Sequence, residues 1–257
     1  MPLRSTILIL LALFALNTLY VSVSLMMGRT PPVIMFMLVT FMPFTVAILH
    51  AGKRLGWKGM LTMLGITFTV GLLFESVGVA TGWVYGPYHY TDQLGPKFLG
   101  LVPLFVPLGW FLMSYPSFVI ADWITPAKWS RMKRALAVAA LGALAMTAWD
   151  VVVDPTRVQA GMWTWEVDGP YFGVPLQNYW GWWLTAFVAL FLFMILTRYS
   201  PDRRSASFDR LALASYALIG LTEIISALIM GLGGPALAGF FAMLPWVLWG
   251  WMAMARE

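Results

Sequence analysis

Residues 150–183 read DVVVDPTRVQAGMWTWEVDGPYFGVPLQNYWGWW. The stretch begins with Asp150 and Asp154, four residues apart at the end of an apolar run, so the two carboxyls share one helix face. An aromatic loop with two more acids, Glu166 and Asp168, follows. A second apolar run then opens on Val174-Pro175-Leu176 and is rich in tryptophan. The chain has only 11 acids in 257 residues, so four of them within this stretch is a concentration that needs a cause.

The surroundings make it more unusual. The chain is 60% hydrophobic, 16% aromatic and 11% charged, with a mean hydropathy of +0.79. A soluble protein of this length could not cover itself with polar surface from that composition, so an all-α polytopic membrane bundle is predicted. Cysteine is absent, which excludes disulfides and thiolate sites, and two histidines make a histidine metal centre a poor fit. Net charge +5 fits basic cytoplasmic loops better than nucleic acid.

Apolar runs near the ~20 residues needed to cross hydrocarbon fall at about 6–27, 32–50, 59–80, 98–121, 135–154, 178–197, 210–231 and 236–254. The first is longer than a signal-peptide core and has no clear cleavage site, so it is read as a helix. Eight spans put both termini on one side. That side carries Arg4, Lys53, Arg54, Lys58, Lys128, Arg131, Lys133, Arg134, Arg198, Arg203, Arg204, Arg210 and Arg256, against Arg29, Lys97 and Arg157 on the other. Thirteen basic residues against three place both ends in the cytoplasm of a multi-pass cell-membrane protein. With no long polar linker, residues 1–257 are expected to form a single integral domain.

The opening stretch has a counterpart upstream. Glu75 is followed seven residues later by Gly82, and Asp154 seven later by Gly161. Each loop then reaches Gly-Pro-Tyr, at 86–88 and 169–171. Each next span opens on Val-Pro-Leu, four residues, Gly-Trp, at 102–110 and 174–182. Three matches in one order predict a duplicated helix–loop–helix unit, about 59–121 and 135–197, repeated in parallel about the membrane normal. Glu223, Gly233-Gly234-Pro235 and Gly250-Trp251 form a weaker third echo.

At ~1.5 Å per residue, Glu75 lies ~7 Å and Glu223 ~12 Å below the outer ends of their helices. Asp150 sits about four residues down its helix and Asp154 at its mouth. An acid at the bilayer centre costs ~2.5–3.5 kcal/mol on insertion scales, so these carboxyls are expected to converge on an outward-facing pocket rather than meet lipid. The structural alternative is that Asp154, before Pro155, caps the next segment, while Glu75 and Glu223 bind neighbouring helices. The functional reading is a group of carboxyls able to hold and hand over protons. Tyr85, Tyr88, His89, Trp163, Trp165, Glu166, Tyr171, Asn178, Trp182 and Glu223 are predicted to line the pocket, although interfacial packing is the default for aromatics. His50 is expected at the cytoplasmic interface, and Asp122 paired with the basic loop after it. No phosphate-binding glycine loop, nucleophile elbow, His-Glu-x-x-His or aspartate-rich diphosphate site is present.

The run Trp149-Asp150-Val-Val-Val-Asp154-Pro155, then Gly161-x-Trp163-x-Trp165 and Gly169-Pro170-Tyr171-Phe172-Gly173-Val174-Pro175, resembles the integral-membrane carotenoid hydratases (carotenoid 1,2-hydratase and bisanhydrobacterioruberin hydratase-like enzymes). Gly78-Val79-x-Thr81-Gly82 with Tyr85-Gly86-Pro87-Tyr88-x-Tyr90 resembles the same family. The resemblance covers the middle half of the chain. It implies a hydro-lyase that adds water to the terminal double bond of an acyclic carotenoid, with membrane lipid around it and other carotenoid enzymes as partners. Such chemistry needs a proton donor, an acceptor for the water's proton and aromatic faces for the tertiary cation, and it needs no cofactor or metal. Asp150 and Asp154 are expected to share the acid and base roles, with Glu75 facing them. Three alternatives stand beside this, one of them a non-catalytic membrane scaffold, which would not need clustered acids at all. A carotenoid end-group cyclase starts with the same protonation. A proton-coupled transporter needs charged groups on both faces, and here the cytoplasmic halves of the spans read as almost free of them.

Overall fold

A computed structural model describes residues 2–201 and 205–256. Arg203 and Arg204, two of the cations counted above, lie outside the described residues. Seven α-helices are present among the described residues: α1 (Leu3–Met26), α2 (Val33–Thr81), α3 (Val106–Ile124), α4 (Arg131–Gln159), α5 (Leu176–Leu196), α6 (Ala206–Ile229) and α7 (Gly233–Ala255). The few strands are short and lie in the loops: β1 (Tyr88–Tyr90), β2 (Lys97–Phe98), β3 (Val102–Pro103) and β4 (Trp163–Trp165). The molecule is an all-α membrane-type bundle.

Helix α2 has 49 residues, or ~74 Å at 1.5 Å per residue, more than twice the ~30 Å of a hydrocarbon core. It is not continuous in conformation. Gly56 has φ 72° and ψ 157°, a left-handed value that breaks the helical path and that glycine adopts without a Cβ penalty. The expected spans 32–50 and 59–80 lie on either side of it.

Six of the helices, all but α3, are long and apolar enough to cross a membrane. Helix α3 differs because 15 of its 19 residues are buried. A helix ringed by other helices needs no aliphatic face for lipid, so serines, aromatics and Asp122 take the place of leucine. It also starts later than expected. Residues 97–103 form the β2–β3 hairpin instead of helix, with Lys97 opposite Pro103 and Phe98 opposite Val102.

Helix α4 runs on through Pro155 to Gln159, so Asp154 is neither at a helix mouth nor a cap. Proline lacks the N–H that would bond the Val151 carbonyl. The Tyr171 hydroxyl donates to that carbonyl at 3.1 Å, which is how the helix tolerates a proline there.

The two long loops meet at one end of the bundle. β1 and β4 pair antiparallel, Tyr88 opposite Trp165 and Tyr90 opposite Trp163. At the opposite end, near Gly56, an ionic cluster is buried. Arg54 donates to Asp209 at 2.9 Å and to Asp122 at 2.7 Å. Arg134 also bonds Asp122, Tyr199 donates to Asp122 at 3.0 Å and the Trp123 indole donates to Asp209 at 2.7 Å. His50 is fully buried, 2.6 Å from the Tyr115 hydroxyl. Two expectations are thereby corrected. His50 is not interfacial, and this half of the bundle is not almost free of charge, because Arg54 and Arg134 turn inward to meet acids that a solvent-facing loop would not need.

Candidate active site

The loop end borders a cavity of about 470 Å³ between α1, both parts of α2, α3, α4, α5 and α6. Its wall carries three carboxyl residues, Glu75, Asp154 and Glu223, all buried. They arrive from three different helices.

Glu75 stands two turns from the C-terminal end of α2. Strand alternation in β1 turns Tyr88 and Tyr90 inward and His89 outward. Both tyrosine hydroxyls donate to Glu75 Oε2, Tyr90 at 2.8 Å. The Trp110 indole donates to Oε1 at 3.2 Å. Burial first, and the neighbouring Glu75 second, push both phenols well above the ordinary tyrosine value, so they stay donors across the working pH range. Trp110 reaches Glu75 because Gly71 leaves room. A Cβ on Gly71 would lie 2.4 Å from the Trp110 ring.

Asp154 faces the cavity from α4. Asn178, in the first turn of α5, gives its amide nitrogen to both Asp154 Oδ2 and Asp150 Oδ2, the latter at 2.9 Å. Asp150 is fully buried and does not reach the cavity wall. Its Oδ1 has no partner among the described residues. The pair is therefore layered, with Asp154 exposed to the void and Asp150 behind it.

Aromatic rings complete the wall. Trp110 and Trp182, the two Gly-Trp tryptophans of the expected repeat, stack at 4.5 Å, and Trp149 meets Trp182 edge-on at 5.9 Å. Trp163 and Trp165 also line the void, as does Tyr85, whose hydroxyl is 2.8 Å from Thr185 Oγ1. Tyr85 sits against two glycines, Gly78 and Gly181, where an added Cβ would approach to 2.6 and 2.5 Å. Glu223 receives Arg157 Nη2 at 2.5 Å.

Of the residues expected at the site, Glu75, Asp154, Tyr85, Tyr88, Trp163, Trp165, Asn178, Trp182 and Glu223 border one cavity. Four do not. Asp150 lies one layer back. His89 and Glu166 are exposed in the loops, 3.7 Å from each other, because each sits on the outward side of its segment. Tyr171 packs on Tyr179 and supports the proline turn of α4. Trp110, Trp149, Tyr90 and Arg157 were missed. Trp110 was legible as the repeat partner of Trp182, and Tyr90 from its alternation with Tyr88. Arg157, three residues after Asp154, read as a loop charge because the helix was expected to end at Pro155. Among the described residues no group of three or more histidines, aspartates or glutamates is arranged to hold a metal.

No solved structure matches this chain. A bisanhydrobacterioruberin hydratase from Haloarcula japonica is 37% identical over 120 residues. That match takes in 46% of this chain and 39% of the relative, so the chain spans well under two thirds of the relative's length. Residues 30–245 match the carotenoid biosynthesis protein family. With that match over most of its length, the chain belongs to this family of carotenoid biosynthesis proteins.

Proposed function

We propose that this protein is a carotenoid hydratase that adds water across the terminal (1,2) double bond of an acyclic carotenoid end group, leaving a tertiary alcohol. The observation that carries the reading is a cavity within a membrane-type bundle whose wall is rich in aromatic rings yet holds carboxyls from three helices. The hydratase name of the Haloarcula relative supports the same reaction class.

The chemistry assigns work to each wall. Asp154, adjoining Asp150 through Asn178, delivers a proton to the less substituted alkene carbon. The positive charge then sits on the tertiary carbon. The Trp110–Trp182 stack and the carboxyl of Glu75, all on the cavity wall, stabilise that charge. Water adds to the cation and gives its extra proton to a second carboxyl. Only the end group needs to enter the cavity, since the rest of the polyene is at home in lipid. No step calls on a cofactor.

We also propose that α2 contributes two spans broken at Gly56, giving eight, with the loop end outside and both termini cytoplasmic. The excess of basic residues at the Gly56 end supports this orientation. The two hairpins are read as copies of one unit, supported by the stack of their equivalent tryptophans.

Expression in a lycopene-making cell, with pigments separated by mass, tests the function. A product heavier by one water is expected. An isomer of unchanged mass would replace the hydratase reading with a cyclase. No altered pigment at all, from protein present in the membrane, would remove both.

A further inference from the structure

The Glu223 carboxyl is not accounted for by the steps above. It is 6% exposed and borders the cavity from α6. One oxygen, Oε1, is held by Arg157 at 2.5 Å. The other, Oε2, is buried and has no partner among the described residues. A buried carboxyl oxygen without a donor invites one. Two hydroxyls of α6 on the same wall spend their hydrogens on backbone carbonyls. Thr222 donates its hydrogen to the Leu218 carbonyl at 2.8 Å, so the Thr18 hydroxyl 3.2 Å away is its donor and one lone pair is left, and Ser226 donates to the Thr222 carbonyl at 2.9 Å. Both residues line the same void. Their remaining lone pairs, with Oε2, make a place where a water gives away hydrogens and keeps an oxygen lone pair free. That is the state a nucleophilic water needs. Arg157 is 26% exposed at the loop end, so the site adjoins solvent.

Resting on the hydratase reading, we infer that Glu223 binds the attacking water and takes its proton, with Arg157 as the positioning residue that fixes the carboxyl. As the water oxygen bonds the tertiary carbon, one of its O–H bonds breaks and that proton passes to Glu223 Oε2. Asp154 has by then lost its proton to carbon, so one proton has moved from one wall to the other. Exchange with solvent at the Arg157 mouth restores both groups. Two walls thus divide the reaction, the α4 wall protonating carbon and the α6 wall supplying oxygen.

The test is the partition of the cation, read in membranes supplied with the polyene in D2O. E223Q still forms the cation but captures water poorly. The hydrated share of product is expected to fall at least tenfold while deuterium still enters unhydrated polyene of otherwise unchanged skeleton. R157Q is expected to shift the partition in the same direction, and R157K to recover most of the hydrated share. D154N is expected to lose deuterium uptake and hydration together. A wild-type hydrated share in E223Q overturns the inference and leaves the hydratase reading intact. So does loss of deuterium uptake in folded E223Q, which would move Glu223 to the protonation step. If E223Q does not accumulate, R157Q is read by the same ratio, and an unchanged ratio overturns the inference. A wild-type protein that yields no hydrate removes the function and the water site with it.

Discussion

The bundle buries two polar clusters, and they balance charge in opposite ways. Near Gly56, Asp122 and Asp209 meet Arg54 and Arg134, with Tyr199 and Trp123 donating to the acids. At the loop end Glu75, Asp154 and Glu223 share a wall, with Asp150 one layer behind, and the single cation of that wall among the described residues is Arg157. The first cluster matches two buried acids with two arginines. The second has one ion pair, Arg157 with Glu223, and leaves about 470 Å³ beside acids that have none. Buried charge that is paired and hydrogen-bonded serves the fold. Acids kept unpaired beside a void hold a place for something that arrives later, here a proton, a cation or a water.

If that contrast is right, substitutions at the two ends separate activity from stability. The largest effect is expected for Asp154→Asn, which keeps shape but cannot deliver a proton. Hydrated product per molecule of membrane protein should fall roughly 10²–10⁴-fold, the usual contribution of a general acid. Asp150→Asn, one layer back, should cost about tenfold, or ~1.4 kcal/mol of barrier. Full activity in both would sink the assignment.

The mirror test is Arg54→Met, which leaves two buried acids short of a partner. A loss of about 3–5 kcal/mol is expected, seen as a lower unfolding temperature in detergent. Product per folded molecule should stay near wild type. Loss of turnover without loss of stability would mean that the Gly56 cluster takes part in function and would break the comparison.

Asn178→Ala sharpens the loop end. Removing the shared amide leaves two carboxyls without their donor, at a cost of about 1–3 kcal/mol, and turnover measured in the same cells should drop about tenfold. Tyr171→Phe should be the mildest. It removes one hydrogen bond to the Val151 carbonyl, about 0.5–1.5 kcal/mol, and hydrated product per folded molecule should not change. A large fall in product would return Tyr171 to the cavity.

Where the reading from sequence fell short, the cause was local geometry meeting tertiary context. Pro155 looked like a helix end because its missing N–H leaves a carbonyl unpaired, and Tyr171, sixteen residues on, supplies the donor. His89 and Glu166 were grouped with the site by proximity in sequence, yet strand alternation turned His89 away while Tyr88 and Tyr90 turned in. The pairing of Asp122 with Arg134 follows the expectation of a partner in the basic stretch after it, but His50 looked interfacial and Arg54 a loop charge because their partners come from other segments, and no spacing rule links Arg54 to Asp209.

The sequence by itself determined that this is a membrane bundle, roughly where its helices lie apart from the start of α3 and the end of α4, and that Glu75, Asp154 and Glu223 belong to one half of it. Hydropathy and helical rise are properties of single segments, so they are written in the chain. Only the tertiary structure decided which carboxyl meets the void, which stands behind it and which charges cancel. Those outcomes depend on side chains from separate helices arriving within hydrogen-bond distance, and a 3 Å contact is set by packing rather than by any one segment.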